Sequence, residues 1–351
     1  MAINFKYGEI AAANLADNIC RLRSCAPGHY EVWFLTFNQR TTQRGFWLRY
    51  TIDCPESGST ERLPAVWAGF YDQKNPANNF VIKQELDPRK LITAEHDGPI
   101  FCAGETLLSS SRAVGVAESN GHRVSWDLGF SPNQTTYRHI SPRVAQLVKP
   151  VSHICSPNLD IRLSGVLRVD GREIILNEEP GCQSHLWGRK HVDEWVWAHS
   201  NAFEKHPDTV FEGLSARPRR GGVMLPQINS LMLRHRGEVH SFVRVRFADQ
   251  WRRRLGMGYW SFTAMGARLR LEGVAQCRLR DMLQVTYVDP DGEPVYCINS
   301  EIGKMKIRIF RRVHAVRWRH VETISAFGTA HLEHASRRPD PNVRSEQQLL
   351  T

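Results

Sequence analysis

The chain has 351 residues, of which 41% are hydrophobic and 23% are charged, and its formal net charge is +10. This composition is ordinary for a soluble globular protein, and the length exceeds what one hydrophobic core usually supports, so we expect two domains. No stretch approaches the ~20 consecutive apolar residues that span a bilayer, which excludes a transmembrane helix. The first residues lack the charged-then-apolar layout of a secretory signal, so we expect a cytoplasmic protein.

Alternation of apolar and polar residues predicts β-strands along most of the chain. In the first half the predicted strands are residues 31–37, 45–52, 65–71, 124–130 and 160–169. In the second half they are residues 239–247, 259–271, 282–288 and 295–298, the last two joined by a turn at Asp289-Pro290-Asp291-Gly292. Helical patterns cover only residues 8–23 and 142–148. The sequence therefore predicts an all-β fold, repeated in two domains.

The segment 181–204 has two unlike faces when it is read as a strand. One face carries Asp193, Trp195, Trp197, His199, Asn201 and Phe203, and the other carries Val196, Ala198, Ser200 and Ala202. An ordinary half-buried strand separates apolar from charged side chains, whereas here large aromatics and hydrogen-bonding groups share a side. That combination is typical of a ligand cavity. The alternative is a core strand whose indole and imidazole groups find backbone partners.

The eight cysteines include no C-x-x-C pair, and a chain of this length needs no disulfide staples. We therefore expect free, mostly buried thiols and no metal site. The lack of a phosphate-binding glycine loop and of a nucleophile elbow predicts that no cofactor is bound.

Most of the positive charge lies in the second half, where residues 176–351 carry +8. It is concentrated at Arg217/Arg219/Arg220, Arg252–Arg254, Arg311/Arg312 and Arg317/Arg319. Many basic residues alternate with apolar ones, as on the solvent face of an amphipathic strand, so we predict no nucleic-acid partner. An anionic substrate or peripheral contact with an acidic surface stays open.

Four short motifs occur in a characteristic order: YEVWF at residues 30–34, SHLWG at 184–188, WVW at 195–197 and GTAHLE at 328–333. Together they resemble the two-domain lipocalin-like superfamily, which includes AttH-type proteins, carotenoid hydratases, tocopherol cyclase-like proteins and fungal Diels–Alderases. The motifs extend over nearly the whole chain. One departure is Ser184, which stands where many relatives have Asp, so any role of that carboxylate is not carried over.

The resemblance implies two lipocalin-like (calycin) antiparallel β-barrels side by side, few short helices, and a pocket near their interface. The expected divisions are an N-terminal segment at residues 1–25, β domains at 26–190 and 191–336, and a polar tail at 337–351. The expected ligand is a hydrophobic small molecule, namely a polyene, an isoprenoid or a polyketide.

His185 and Asp193 are the candidates for acid–base chemistry. Imidazole titrates near neutral pH, so His185 is suited to orient or protonate a substrate, or else to bridge the barrels by hydrogen bonding. A carboxyl among indoles is desolvated, and a raised pKa would let Asp193 protonate an alkene. The alternative is an aspartate that caps a turn.

Ligand contacts are expected mainly from aromatic side chains. Trp195 and Trp197 would stabilise a developing cation, while His199 and Asn201 would hydrogen-bond a ligand oxygen or form a satisfied polar pair. Arg49 would pair with an anionic ligand group or with Glu31 or Asp127. The remaining candidates, which alternatively serve packing, are Trp33, Trp126 and Trp187.

Two functions fit these features. The first is an enzyme that cyclises, isomerises or hydrates a hydrophobic substrate in an interdomain aromatic pocket, and the second is a non-catalytic carrier of a lipid-like molecule. A cavity carboxyl with a strongly raised pKa would favour the enzyme. A third hypothesis, docking on acidic surfaces, predicts that the arginine clusters converge on one exposed patch. The sequence does not predict the substrate or the oligomeric state.

Overall fold

The computed structural model describes residues 14–345 except 23, 25, 58–60, 95–97, 133–135 and 247–254. Nearly all of the regular structure is β, which confirms the predicted class. The strands form two large, curled, antiparallel sheets, called sheet A and sheet B below. Among the described residues, no helix has the length and apolar character needed to cross a bilayer.

Sheet A contains β1 (His29–Gln39), β2 (Arg44–Cys54), β3 (Leu63–Asp72), β4 (Phe80–Glu85), β5 (Leu91–Ile92), β6 (Phe101–Ala103), β7 (Thr106–Leu108), β8 (Arg112–Ser119), β9 (His122–Phe130), β10 (Tyr137–Arg138), β11 (Ser152–Val169) and β12 (Arg172–Gly188). Their order is β4-β3-β2-β1-β12-β11-β9-β8-β7-β6-β5, and β10 pairs with β11. The sheet curls until β4 approaches β8, where the backbone N–H of Glu118 donates to Gln84 Oε1 over 2.8 Å.

Sheet B contains β13 (Glu194–Ser200), β14 (Val210–Arg217), β17 (Gln227–His235), β18 (Glu238–Arg246), β19 (Leu255–Gly256), β20 (Tyr259–Met265), β21 (Leu269–Gln276), β22 (Leu283–Val288), β23 (Pro294–Arg312) and β24 (Trp318–Ser336). Their order is β18-β17-β14-β13-β24-β23-β21-β20-β19, and β22 pairs with β23. A separate ribbon pairs β15 (Arg219–Arg220) with β16 (Val223–Met224).

Helical structure is sparse. The predicted helix at 142–148 is confirmed as α1 (Pro142–Val148), where Ser141 Oγ caps the N-terminus by accepting from Val144 N. Of the pattern at 8–23, residues 14–18 are helical, while 8–13 and 23 lie outside the described residues. Three 3₁₀ turns occupy Pro76–Asn78, Pro88–Lys90 and Leu279–Asp281.

Six of the predicted strands fall within observed ones, namely 31–37, 45–52, 65–71, 124–130, 160–169 and 295–298. The strand expected at 239–247 is observed as far as Arg246, and the one expected at 282–288 begins at Leu283. The strand expected at 259–271 is two strands, because the chain reverses at Gly266, whose N–H donates to Leu269 O over 2.8 Å. The strand expected at 295–298 continues to Arg312 as β23. The turn before it is confirmed, with Gly292 at φ +88° and its N–H bonded to Asp289 O.

No disulfide joins any two of the seven described cysteines, and five of them are buried; Cys25 lies outside the described residues. So do Phe247, the Arg252–Arg254 cluster and the tail residues 346–351. The chain passes from sheet A to sheet B between Gly188 and Glu194. The division into domains near residue 190 therefore remains a proposal that this topology accommodates.

Candidate active site between the two sheets

Strand β13 directs its two faces to different parts of the molecule. Val196 and Ala198 enter the hydrophobic core of sheet B. Trp195 and Trp197 join a separate cluster that lies between the sheets. Sheet A contributes Trp47, Trp67, Tyr71, Val81 and Cys182 to this cluster, and sheet B adds Leu283, Val285, Tyr287, Val295, Cys297, Ile302 and Ala335. The aromatic face of β13 is therefore turned toward sheet A and away from the interior of its own sheet.

The strand register places three rows of side chains on this interface face of sheet B. The first, charged row is Glu212, His199 and His331, extended by Glu301. The second, mixed row is Leu214, Trp197, Glu333 and Asn299. The third, apolar row is Ala216, Trp195, Ala335 and Cys297. Polarity thus falls from one end of the face to the other, as suits a ligand with one polar end and a long apolar part.

Glu212 organises the charged row. Its Oε1 accepts from Trp197 Nε1 (2.7 Å) and bonds His139 Nε2 (3.0 Å), and its Oε2 bonds His199 Nδ1 (3.1 Å). Burial would raise the pKa of Glu212, but the hydrogen bonds from His139 and His199 outweigh burial and lower it to about 2. His139 precedes α1, so this carboxylate ties sheet B to the part of the chain that belongs to sheet A.

Two imidazoles of the charged row have an open nitrogen. Burial lowers the pKa of His199 despite the neighbouring Glu212, so its ring is neutral at pH 7 and donates through Nδ1 to the carboxylate. His331 Nδ1 bonds Glu301 in the same manner. The Nε2 atoms of both rings are buried and have no hydrogen-bond partner among the described residues. A hydroxyl or water that donates to His199 Nε2 would satisfy a buried atom that otherwise carries a desolvation cost.

Glu333 lies in the middle row between the two tryptophans of β13. Trp195 Nε1 donates to Glu333 Oε1, and Trp197 is its cross-strand neighbour. Burial raises the pKa of Glu333, and neither the Trp195 hydrogen bond nor the nearby Arg49 guanidinium cancels that effect. The carboxyl therefore holds a proton at higher pH than an ordinary glutamate, which is the property required of a general acid.

Arg49 faces this cluster from sheet A. Its guanidinium carbon lies 3.7 Å from the ring centroid of Tyr287 and 5.9 Å from that of Trp67. It pairs with neither of the carboxylates considered from the sequence, because Glu31 bonds His185 and Asp127 bonds Arg112. Arg49 is 6% exposed, and its Nε has no hydrogen-bond partner among the described residues.

An open cleft of about 230 Å³ lies beside this cluster, lined by Trp67, Val81, Lys83, Ser119, Asn120, Thr286 and Val288. Lys83 Nζ lies 5.4 Å from the Trp67 ring. Trp67 therefore lines the cleft and also lies next to Arg49 in the interface cluster. Phe34, Leu214 and Glu333 are likewise only partly buried. Elsewhere the sheets are in close contact, since a Cβ added to Gly45 would lie 2.5 Å from Glu301 Cβ.

His185 lies outside this interface cluster. Its Nε2 bonds Glu31 Oε1 and its Nδ1 donates to Asp17 O, both over 2.7 Å, and its ring stacks on Trp33 at 4.9 Å. Glu31 also accepts from the backbone N–H groups of Arg21 and Leu22. Burial would raise the pKa of Glu31, but the His185 hydrogen bond and the two amides hold it below its usual range. Both ring nitrogens bond groups in the first half of the chain, so His185 fastens residues 14–22 to sheet A and does not bridge the two sheets as the sequence-based alternative expected.

We expect His185→Ala to release that N-terminal segment while the sheets persist. Hydrogen bonds to charged groups contribute about 1.5–3 kcal/mol, so amide exchange at Arg21 and Leu22 should quicken by roughly 10–100-fold. Hydrogen–deuterium exchange with peptide-level mass spectrometry measures this. His153→Ala is the matched control, because His153 stacks on Trp187 at 5.3 Å and bonds no part of the segment. Equal exchange rates in the two variants would contradict the role of His185 in fastening residues 14–22 to sheet A.

The other sequence candidates occupy varied positions. Asp193 precedes β13, and its Oδ1 accepts from Arg219 Nε over 3.2 Å. Trp126 belongs to the core of sheet A and donates to Tyr50 Oη over 2.8 Å. Asn201 donates to Asp160 Oδ1 (2.8 Å) and Gly181 O (2.9 Å), which links the two sheets. Trp187 is partly buried, with the Arg21 guanidinium 5.4 Å above its ring.

The residues that sequence reasoning did not single out are Glu333, Glu212, Glu301, His331 and Tyr287. Glu333 and His331 stand in the GTAHLE motif, so the motif itself was the available signal. Ser184, the departure from the superfamily pattern, is buried and bonds Ser156 Oγ over 2.8 Å. No carboxylate role rests on it.

A metal-ligating set occurs away from the interface. The donor atoms of His206, His235 and Glu322 all lie within 4.8 Å of one another. They are also engaged with protein groups, since Glu322 bonds His235 Nε2 (2.8 Å) and Arg236 (3.1 Å), and His235 Nδ1 bonds Thr209 (2.7 Å). Imidazole and carboxylate suit zinc, but the Arg236 cation beside the carboxylate already supplies the compensating charge.

The protein is thus all-β, and the interface between its two curled antiparallel sheets, where Glu333 with its raised pKa lies beside two tryptophans, is the candidate active site. The chain belongs to the tocopherol cyclase-like family, whose model matches residues 147–334, more than half of its length. This confirms the resemblance drawn from the motifs and supports an enzyme of the cyclase type.

Two solved structures are similar over most of the chain. A protein assigned as AttH from Nitrosomonas europaea is 10% identical, with a TM-score of 0.45 over 96% of this chain and 97% of that one. Kievitone hydratase from Nectria haematococca is 9% identical, with a TM-score of 0.43 over 89% of each chain. No curated protein matches the sequence.

Proposed function

We propose that this protein cyclises, isomerises or hydrates a polyene, isoprenoid or polyketide at the interface between its sheets, with Glu333 as the general acid. The observation that carries the proposal is a carboxyl with a raised pKa that is hydrogen-bonded to one tryptophan and adjacent to another. Protonation of an alkene needs a neutral acid in an apolar, water-poor environment. Asp193, the candidate from sequence, precedes β13 and forms an ion pair with Arg219 at 3.2 Å.

The first step transfers the Glu333 proton to one alkene carbon. The π electron pair forms the new C–H bond, the other carbon becomes cationic, and Glu333 becomes a carboxylate. Trp195 Nε1 donates to Oε1 and the Cys297 thiol also hydrogen-bonds the carboxyl, and in this proposal Oε2 carries the proton. The Arg49 guanidinium interacts electrostatically with Glu333 and stabilises the carboxylate that forms. The ring faces of Trp195 and Trp197 stabilise the cation.

The second step decides the product. In cyclisation, a hydroxyl oxygen of the substrate attacks the cation and loses its proton. In hydration, a water molecule attacks and loses a proton in the same way. In isomerisation, the cation loses a neighbouring proton and a new alkene forms. His199 Nε2, which is neutral and open, is the proposed acceptor of the proton in each case. No metal or redox cofactor enters these steps.

Incubation in D₂O tests the proposal. The substrates are a panel of polyprenyl-substituted phenols and acyclic polyenes, and products are analysed by mass spectrometry. Cyclisation or isomerisation should leave one deuterium on carbon, and hydration should add the mass of one heavy water. Ligands that bind, as seen by quenched tryptophan fluorescence, but are recovered unchanged and undeuterated would indicate a carrier instead.

We expect Trp197→Leu to lower kcat more than Trp197→Phe. Both variants lose the N–H that donates to Glu212 Oε1 over 2.7 Å, but only Phe keeps a ring face. A desolvated cation–π contact contributes about 2 kcal/mol, so the two variants should differ by roughly 30-fold in kcat with similar KM. Steady-state kinetics on any turned-over member of the panel measures this. Equal kcat values in the two variants would contradict the stabilisation of a cationic intermediate by the Trp197 ring.

A further inference from the structure

The end of the β23–β24 hairpin carries a dense run of positive charge. Residues 302–321 contain seven Lys and Arg residues and no Asp or Glu. Near the turn, the strand register places Arg311 opposite Arg319 and Arg312 opposite Trp318. Two of the arginine clusters noted in the sequence therefore converge on one exposed patch, here named the basic tip: Arg311, Arg312, Val313, Val316, Arg317, Trp318 and Arg319.

The ion pairing of the basic tip decides whether its charge can reach an external anion. Some exposed arginines elsewhere pair with carboxylates, as Arg89 does with Asp87 and Arg168 with Glu173. The arginines of the tip have no carboxylate within 4.0 Å among the described residues. Glu272 on the neighbouring strand β21 pairs with Arg270 and Arg308. The charge at the tip is therefore available to an external anion.

Apolar and aromatic side chains are mixed with this charge. Val316 is 90% exposed at the turn, and Val313 is 39% exposed. The Arg312 guanidinium lies 4.7 Å from the Trp318 ring, and Arg270 covers the same ring at 5.6 Å. Arginine, tryptophan and a protruding aliphatic residue are the combination that occupies the boundary between lipid headgroups and acyl chains.

We propose that the basic tip docks on a membrane surface that contains anionic lipids. The guanidinium groups bind lipid phosphates, and Val316 enters the apolar boundary beneath the headgroups. Nucleic acid also offers phosphates, but its backbone gives Val316 no apolar environment, so the exposed tip favours lipid. This docking does not depend on the reaction proposed above, because the tip lies at the turn end of the hairpin and the interface residues Cys297 and Glu333 lie toward the other.

Vesicle co-sedimentation of the full chain tests the proposal without any substrate. We expect binding to vesicles of phosphatidylcholine containing one-third phosphatidylglycerol, weaker binding at high salt, and little binding to phosphatidylcholine alone. The triple variant Arg311→Gln/Arg317→Gln/Arg319→Gln should weaken binding by roughly 100-fold, since each basic group near an anionic surface contributes about fivefold to the affinity. Val316→Ser should weaken it several-fold at unchanged charge.

Two controls separate the tip from general basicity. The triple variant Arg89→Gln/Arg123→Gln/Arg168→Gln removes the same charge from exposed sites in the first half of the chain and should bind almost as the unmodified protein does. Val239→Ser removes another exposed valine, one that is 63% exposed on β18, and should have no effect. Equal losses in both triple variants would overturn the proposal. So would binding to a DNA duplex that exceeds vesicle binding and is unaffected by Val316→Ser.

Discussion

Glu333→Gln is expected to abolish most turnover while the protein still binds its ligand. General acid catalysis contributes typically ~10²–10⁴-fold, so kcat should fall by that factor with little change in KM. The amide still accepts the Trp195 N–H through its oxygen, but it has no proton to give. Steady-state kinetics together with tryptophan quenching separates lost chemistry from lost binding.

The pH dependence gives this prediction a second readout. Turnover should fall as pH rises through the raised pKa of Glu333, because the acid form is then lost. The folded state holds this proton more tightly than the unfolded chain does, so ionisation of Glu333 lowers stability as pH rises. Glu333→Gln removes that loss. The variant should therefore be at least as stable as the unmodified protein at pH 8, which excludes misfolding as the cause of inactivity.

Two further variants decide where the acid lies. Glu173→Gln changes an exposed glutamate that pairs with Arg168 at 2.7 Å, and it should leave kcat unchanged. Asp193→Asn tests the candidate drawn from sequence alone. Loss of turnover in Asp193→Asn with normal turnover in Glu333→Gln would identify Asp193 as the general acid and refute the mechanism proposed for Glu333.

Glu212→Gln is expected to cause the largest loss of stability, about 3–5 kcal/mol at pH 7. Glu212 accepts from or pairs with His139, His199 and Trp197, and Gln would set an N–H₂ group against at least one of these donors. Guanidinium unfolding followed by tryptophan fluorescence measures the change in the free energy of unfolding. Glu173→Gln is again the matched control and should change it by less than about 0.5 kcal/mol.

Lowering the pH should reduce the difference in the free energy of unfolding between the unmodified protein and Glu212→Gln. The folded pKa of Glu212 is about 2 and its ordinary value is 4.5, so the stabilisation is complete above pH 4.5 and is lost as pH falls toward 2. The unmodified protein should therefore lose stability across that window, and Glu212→Gln should lose less. Parallel pH profiles for the two proteins would show that Glu212 is not held ionised by the histidines.

The strands were predictable because their signal is local. Period-two alternation and the Asp289–Gly292 turn need only neighbouring residues, and even the seven-residue helix α1 was marked by its own serine cap and proline. The same alternation could not assign Trp33 and Trp126 to the core of sheet A. Both faces of β1 and β2 are buried, one in that core and one against sheet B, so burial does not distinguish an interior tryptophan from an interface one.

The role proposed for Glu333 could not be predicted from the sequence for a different reason. The environment of Glu333 is made by Trp195, which is 138 residues distant in sequence, and by Arg49 from the other sheet. Such a pKa is a property of sheet packing and leaves no mark on the adjacent sequence. Asp193 was nominated because it stands next to the aromatic strand, yet it precedes the first residue of β13 and meets Arg219 instead.

The bond between His139 and Glu212 bears on how freely the two halves could be exchanged between proteins. The proposed boundary near residue 190 separates the two partners, which are 73 residues apart. A second half transplanted onto another first half would bring a buried carboxylate without one of its hydrogen-bond donors, and the contact of Gly45 with Glu301 would impose a steric constraint as well. The two halves thus depend on each other for stability across the proposed boundary. Recombination within this family should succeed only where both partners of each contact come from the same parent protein.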